Sequence, residues 1–408
     1  MKQFSELCEC VSDQCAPQSS GASVYVGLEH IDSGVFFLKR HGSPCEVQSA
    51  KSRFCKGDIL YGKLRPYLDK AVIAPTDGIC STDILVFRAK PDVRAAFLLG
   101  LIHTQEFLDH SAQTTNGVNH PRTSWPGLSP FAWDVPGGSE QDKIAAVLWK
   151  IQRAIEAEEK LTASARELKQ AVMRQLFTHG LRGDAQKETD YGAIPEPWTV
   201  VPLSECCEVQ TGVAKGRKVD PREAVEVPYL RVANVQDGHL DLREMKTITL
   251  SKVEVHKYLL QDGDVVLTEG GDFDKLGRGF IWRAQVMNCA HQNHVFAVRA
   301  NRSLLLPDFL AYLVQSPYGR RYFLTVAHKT TNLACINTTK LKALPVPLPQ
   351  IDEQREIAWN LQNLDRKVDA HGRKLAALQD LFKTLLHTLM TGEIRVADLD
   401  IDVSEVTH

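Results

Sequence analysis

The sequence predicts an α+β protein in which two mixed α/β globular segments alternate with two long helices that pair with each other, all built as an internal repeat. Three observations carry that prediction. Glu140-Gln141 recurs as Glu353-Gln354, and the same offset pairs Ile144 with Ile357, Leu148 with Leu361, Arg153 with Arg366, Leu168 with Leu381 and Leu176 with Leu389 without a gap. Both copies place apolar residues at helical coiled-coil spacing. The stretches before each copy hold short apolar runs entered by Gly-Asp turns, the signature of strands, and they repeat more weakly.

The elements follow in order. Residues 1–137 form the first globular segment, with Tyr25–Ile31, Lys56-Gly57-Asp58-Ile59-Leu60, Ile84–Arg88 and Thr114-Thr115-Asn116 as its landmarks. Their counterparts are Tyr229–Val235, Asp262-Gly263-Asp264-Val265-Val266, Val295–Arg299 and Thr330-Thr331-Asn332. Small helices are expected near Phe97–His110 and Pro307–Phe323. Residues 138–182 hold the central helix, with Ile144, Leu148, Ile151 and Ile155 as its seam. The pattern falters at Glu158 and resumes through Leu161, Ala165, Leu168, Val172 and Leu176, which reads as a stammer. Residues 183–348 hold a polar linker, Gly183 to Pro197, and the second globular segment. Residues 349–395 hold the C-terminal helix, whose seam runs Ile357, Leu361, Leu364, Val368, His371, Leu375, Leu378, Phe382, Leu385 and Leu389 in steps of four and three. Gly372 should weaken it near the place where the first helix falters. Residues 396–408 are an acidic tail.

Composition narrows the function. The 408 residues suit two or three domains, and 43% hydrophobic with 24% charged is ordinary for a globular protein. A net charge of −2 excludes a polycation, although a local basic stripe suffices for binding nucleic acid. No apolar run approaches a membrane span and the first residues lack a signal-peptide core, so a cytoplasmic protein is expected. The ten cysteines include no Cys-x-x-Cys pair, so no metal site is expected and most thiols should be small buried hydrophobes.

Catalytic machinery is not evident. There is no Walker A loop, no Asn/Asp-Pro-Pro-aromatic element of amino-methyltransferases and no Gly-x-Ser-x-Gly elbow. Glu158-Glu159-Lys160 and Glu244-Met245-Lys246 fit a short nuclease pattern that chance often supplies. Binding chemistry is richer. Tyr61-Gly62-Lys63-Leu64-Arg65-Pro66-Tyr67-Leu68-Asp69-Lys70 interleaves cations and tyrosines, suited to phosphate contacts and stacking, or simply to a solvated hairpin. The matching loop, Glu269–Gly279, is rich in Gly and Asp and contains Lys275 and Arg278. His291-Gln292-Asn293-His294 concentrates donors and acceptors. The candidate nucleic-acid contacts are Lys63, Arg65, Tyr67 and Lys70 in the first segment. In the second they are Lys275, Arg278, His291, Asn293, His294, Thr330 and Asn332, the last two being either readers or loop caps.

The chain resembles the specificity subunit of type I restriction-modification systems, most clearly from Leu348-Pro349-Gln350-Ile351-Asp352-Glu353-Gln354-Arg355-Glu356-Ile357 through to Leu389-Met390-Thr391-Gly392-Glu393-Ile394-Arg395-Val396. The resemblance implies a non-catalytic subunit with two target-recognition domains, each reading half of a split, asymmetric duplex DNA site. It implies that the two helices pair antiparallel as a ruler, ~60 Å long for 40 residues, and dock two methyltransferase subunits. Those subunits would bring S-adenosylmethionine and restriction/motor subunits ATP and Mg, with no cofactor in this chain. A standalone methyltransferase or nuclease, and a protein-binding coiled-coil scaffold, are the alternatives.

Overall fold

The computed structural model describes residues 1–216, 218–271, 276–329 and 334–404. The chain divides into two compact units, Met1–Leu161 with His371–His408, and Thr162–Ala370. The division cuts both long helices rather than falling at their ends. Each unit thus holds one globular segment and one stretch of each helix.

The two globular segments share one plan. In the first unit an antiparallel sheet runs Cys8–Val11, Ile84–Ala89, Ile59–Gly62, Ala71–Ile73. In the second the order is Cys207–Thr211, Val295–Ala300, Val265–Thr268, Gly279–Ile281. A further sheet in each contains one parallel pair, Tyr25 beside Ile79 and Tyr229 beside Ala290. Two helices follow each main sheet, Ala95–Ile102 and Gln105–Gln113 in one, Pro307–Gln315 and Pro317–Val326 in the other. Thr104 and Ser316 cap the second helix of each pair, accepting from Phe107 N and Gly319 N.

The Gly-Asp turns explain themselves in this plan. Gly57 and Gly263 adopt φ of 89° and 94°, which a side chain resists. The aspartate that comes next turns inward and closes the turn, accepting from Cys55 N or Gln261 N at 2.8 Å. It then takes a two-pronged guanidinium from the neighbouring strand, Arg88 on Asp58 and Arg299 on Asp264, every bond 2.8 Å. Both carboxylates are buried, and a buried carboxylate needs such a partner.

Each core includes the helices. Phe4, Phe87, Phe97 and Phe107 cluster with Leu148, Phe382 and Leu389 in the first unit. Trp198, Phe296, Phe309 and Tyr312 cluster with Met173, Phe177, Ile357 and Leu361 in the second. The central helix is continuous over Gly138–His179 and the C-terminal helix over Ile351–Met390, so Gly372 does not interrupt the second. Within the first unit Glu140 meets Arg395 and Glu158 meets His371. Within the second, Lys169 meets Asp365 and Leu181 N meets Glu353. Numbers rise on one helix as they fall on the other, so the segments run in opposite directions in each unit.

The seam differs from the sequence expectation in its middle. Leu161 and Leu168 are half exposed, at 49% and 50%. Glu158 and Thr162 are buried in place of Leu161, and the inward face continues through Lys169 and Met173. The reason is polar pairing. Glu158 accepts from His371 Nδ1 at 2.5 Å and holds Lys374 Nζ at 2.9 Å, so a carboxylate keeps the heptad phase that an apolar count loses. Around it, Ile144, Leu148, Ile155, Leu361, Phe382 and Leu389 are buried, and Ile151, Leu364, Val368, Leu375, Leu378 and Leu385 are half-buried; Ile357 is fully covered.

Two further expectations change. The polar linker contains a hairpin, Gln186–Lys187 against Ile194–Pro195, in which Ile194 is fully buried and Tyr191 packs on Tyr318 and Tyr322. Only five of the ten cysteines, Cys8, Cys80, Cys206, Cys207 and Cys289, are buried. No described helix is long and apolar enough to cross a membrane.

Candidate nucleic-acid interface

In the first unit the strand Ile59–Gly62 delivers the chain into a tight loop. Arg65 and Asp69 both adopt φ of 51° around the short turn Pro66–Leu68. Non-glycine residues in that region are uncommon and need support from their surroundings. Here Arg65 N donates to Pro121 O at 2.8 Å, and Asp69 binds His103 Nδ1 at 2.6 Å. Thr123 N donates to Lys63 O at 3.0 Å, and Asn116 and Arg122 exchange backbone bonds. A second loop, 116–122, is thereby laid against the first.

The result is a surface presenting Arg65, Tyr67 and the 116–122 tip to solvent. Tyr67 is 57% exposed. Lys63 is half-buried, and with Arg122 and His120 it surrounds Asp83. The Arg122 guanidinium, bonded to Asp83 at 2.9 Å, holds that carboxyl below its usual range, with Lys63 and His120 contributing. Arg122 and His120 were not singled out from the sequence; the only signal is their place just after the Thr114-Thr115-Asn116 repeat landmark. Two members of the aromatic-basic run are engaged elsewhere. Tyr61 is buried in the core, and the Lys70 ammonium donates to Leu28 O at 2.7 Å, fastening the turn after Tyr25.

The second unit presents the equivalent place. Gly270–Gly271 pairs with Ala334–Cys335, which pairs with His328–Lys329, the counterpart of the 116–122 loop laid on the 63–68 turn. Lys275, Thr330 and Asn332 lie outside the described residues. Arg278 is half-buried and lines a cleft with Gln236, His239 and Arg320. That cleft shares Asp237, His239, Gln315 and Arg320 with a groove of about 850 Å³, also lined by Arg166, Lys169 and Arg174 of the central helix.

His291 is a correction. It is 0% exposed, and its Nδ1 donates to Val295 O at 2.6 Å. Burial pushes its pKa down, favouring the neutral ring. The side chain points inward at the strand end, so it supports the loop and is not on the surface. Asn293 and His294, beyond that strand end, face outward: His294 is exposed, with Nδ1 on Glu269 at 2.6 Å, and Asn293 Nδ2 lies 3.3 Å from its ring.

The repeated Glu-Gln dipeptides do a different job. Gln354 is fully buried; its Oε1 accepts from Leu306 N at 2.8 Å, and its Nε2 donates to Leu304 O and Pro349 O, both at 2.9 Å. Gln141 repeats the arrangement, accepting from Arg94 N at 3.0 Å and donating to Pro136 O at 2.9 Å and Asp92 O at 3.4 Å. Each glutamine joins its long helix to the loop before the first small helix of its own unit. Each preceding glutamate anchors the chain just beyond the end of the other helix: Glu140 takes Arg395 through two bonds plus Val396 N, and Glu353 takes Leu181 N and Trp198 Nε1.

Comparison with known proteins bears on these features. Residues 195–380 match the model of the type I restriction modification DNA specificity domain. The putative type I restriction enzyme MjaX specificity subunit of Methanocaldococcus jannaschii is 26% identical over 50% of this chain and 48% of its own length. The MjaVIII specificity subunit of the same organism is 26% identical over 70% of this chain and 67% of its own. The alignments thus span from about half to two thirds of these relatives. The solved structure of a type I restriction-modification S subunit from M. genitalium covers 95% of both chains with a TM-score of 0.56 at 13% identity, a likeness of fold. Residues 195–380 are thus similar to the type I restriction modification DNA specificity domain, and the chain is similar over as much as 70% of its length to curated type I restriction enzyme specificity subunits.

Proposed function

We propose that this chain is the non-catalytic subunit that gives a type I restriction-modification complex its DNA sequence specificity, reading an asymmetric bipartite duplex site. The observation that carries the proposal is one frame with two different faces. Sheet order, turn chemistry and the glutamine joint are duplicated, while the presented loops differ: Arg65, Tyr67 and Arg122 in one copy, Arg278, Asn293 and His294 in the other. A shared frame fixes how each loop is held, and unlike side chains read unlike bases.

The long helices then form an antiparallel coiled coil that spaces the two recognition domains. At 1.5 Å per residue a helix of about 40 residues is ~60 Å long, more than the ~34–36 Å of one DNA turn. Their outward faces carry Leu161, Leu168, Trp359 and Leu381, all well exposed, and exposed apolar residues on a rod suit the docking of partner helices. Methyltransferase subunits docked there would flip and methylate adenine with S-adenosylmethionine; restriction/motor subunits would supply ATP- and Mg-dependent cleavage. Replacing residues 1–137 by a relative's domain and mapping N6-methyladenine in cells tests this directly. One half-site should change and the other stay; a change in both, or in neither, refutes the reading.

A further inference from the structure

The long helices are copies of one another, and copies bring a pairing problem. Along the seam the repeat exchanges apolar for apolar: Ile144 for Ile357, Leu148 for Leu361, Ile151 for Leu364, Val172 for Leu385, Leu176 for Leu389. Such a surface cannot tell its intended neighbour from the same helix of a second chain. The polar positions can. Glu158 and His371 occupy the same place in the repeat, 213 residues apart, and they touch. Lys374, the second partner of Glu158, has Leu161 as its copy. Lys169 and Asp365, paired at 2.5 Å, have Phe382 and Gln152 as theirs.

We propose that Glu158 with His371 and Lys374, reinforced by Lys169 with Asp365, makes the central helix select the C-terminal helix and refuse a second copy of itself. In a pair of two central helices, Glu158 would face the same carboxylate of the other copy, with Leu161 where Lys374 now stands. In a pair of two C-terminal helices, two histidines and two lysines would meet with no acid among them. Two buried Glu158 carboxylates facing each other without a counter-ion are costly; His371 and Lys374 are partly exposed, at 33% and 65%, so their like charges cost less. One polar position in an otherwise apolar seam is enough to fix partner choice. Only the unlike pair opposes the charges. The inference rests on the helix contacts alone and stands apart from the reading of DNA.

The test co-refolds affinity-tagged and untagged full-length chains at equal concentration and measures the untagged chain retained. Glu158→Leu combined with His371→Leu should retain at least about tenfold more than wild type, the equivalent of ~1.4 kcal/mol of lost discrimination. Reversing the charges in one chain, Glu158→Lys with His371→Glu and Lys374→Glu, should retain no more than wild type. The proposal is overturned if the leucine pair associates no more than wild type, or if the charge-reversed chain associates as the leucine pair does. Should the leucine pair fail to fold by circular dichroism, two complementary chains decide. One carries Glu158→Lys, the other His371→Glu with Lys374→Glu; retention in the mixture should exceed either alone by about tenfold, and equal retention overturns the proposal.

Discussion

Replacing Gln354 by methionine isolates the joint between helix and globular segment. The substitution nearly preserves length and volume in a fully buried site, but removes three hydrogen bonds and strands Leu306 N–H and the carbonyls of Leu304 and Pro349. At ~0.5–1.5 kcal/mol net per bond, with the stranded groups pushing toward the upper end, the loss is about 2–4 kcal/mol. For a body of roughly 200 residues that lowers the unfolding midpoint by roughly 5–15 °C. Gln141→Met should cost less, because its bond to Asp92 O is long at 3.4 Å. Amide hydrogen exchange separates the two: Leu306 N should lose protection in Gln354→Met while Arg94 N is unchanged, with the reverse in Gln141→Met. If both amides respond to either substitution, or neither does, the glutamine is not a local joint between its helix and its own unit.

Further measurements probe the recognition loops, the buried histidine and the spacing. Arg65→Ala and Arg122→Ala should each reduce the salt slope of DNA binding by about 1 if the cation meets phosphate, and Tyr67→Ala should cost ~1–3 kcal/mol at one half-site; unchanged binding in a folded complex removes these residues from the interface. His291→Gln should leave base preference untouched and blunt the pH response of the second unit. Burial sets the folded pKa of His291 below 6.5, so the unfolded chain takes up the proton first, and stability present above ~6.5 is lost as pH falls toward the folded value. Equal pH sensitivity of variant and wild type from 7.5 to 5.5, monitored by denaturant titration, would contradict that assignment. Inserting one heptad into each long helix opposite the other lengthens the rod by ~10 Å, about 3 base pairs on duplex DNA, so the original spacer should bind poorly in a spacer-series assay, and an undiminished preference for it sinks the ruler.

How much of the molecule is legible in its sequence depends on where each interaction partner lies along the chain. The helical repeat is legible because its signal is local: spacing on one helix and one fixed offset to its copy. The strand order of each globular segment is partly legible, since Gly57-Asp58 and Gly263-Asp264 mark the same turn. The Glu-Gln dipeptides are conspicuous as repeats, yet their role is hidden, because Gln354 bonds a loop 48 to 50 residues away and Gln141 one 47 to 49 away. A hydrophobicity count prefers Leu161 and Leu168 to Glu158, Thr162 and Lys169. It fails here because burial of a charge is decided by its partner, and His371, Lys374 and Asp365 lie some 200 residues on.

The same physics governs the candidate recognition residues. In His291-Gln292-Asn293-His294 the candidates His291, Asn293 and His294 look alike in sequence, but the first belongs to the short parallel strand beside Leu230, so its face is fixed by that pairing and it turns into the core. Lys70 likewise spends its charge on a backbone carbonyl of its own unit. Arg122 emerges as a candidate only when the 116–122 loop is seen lying on the 63–68 turn. Cations left uncommitted by internal bonding are the readiest to meet a phosphate, and Arg122, bonded to Asp83, is less ready than Arg65. That criterion favours Arg65 over Lys70, because Arg65 is exposed and is held by its backbone through Pro121, leaving the guanidinium outside the bond that fixes it. On the proposed reading, such a loop would keep its main chain rigid and its charged ends uncommitted until DNA arrives.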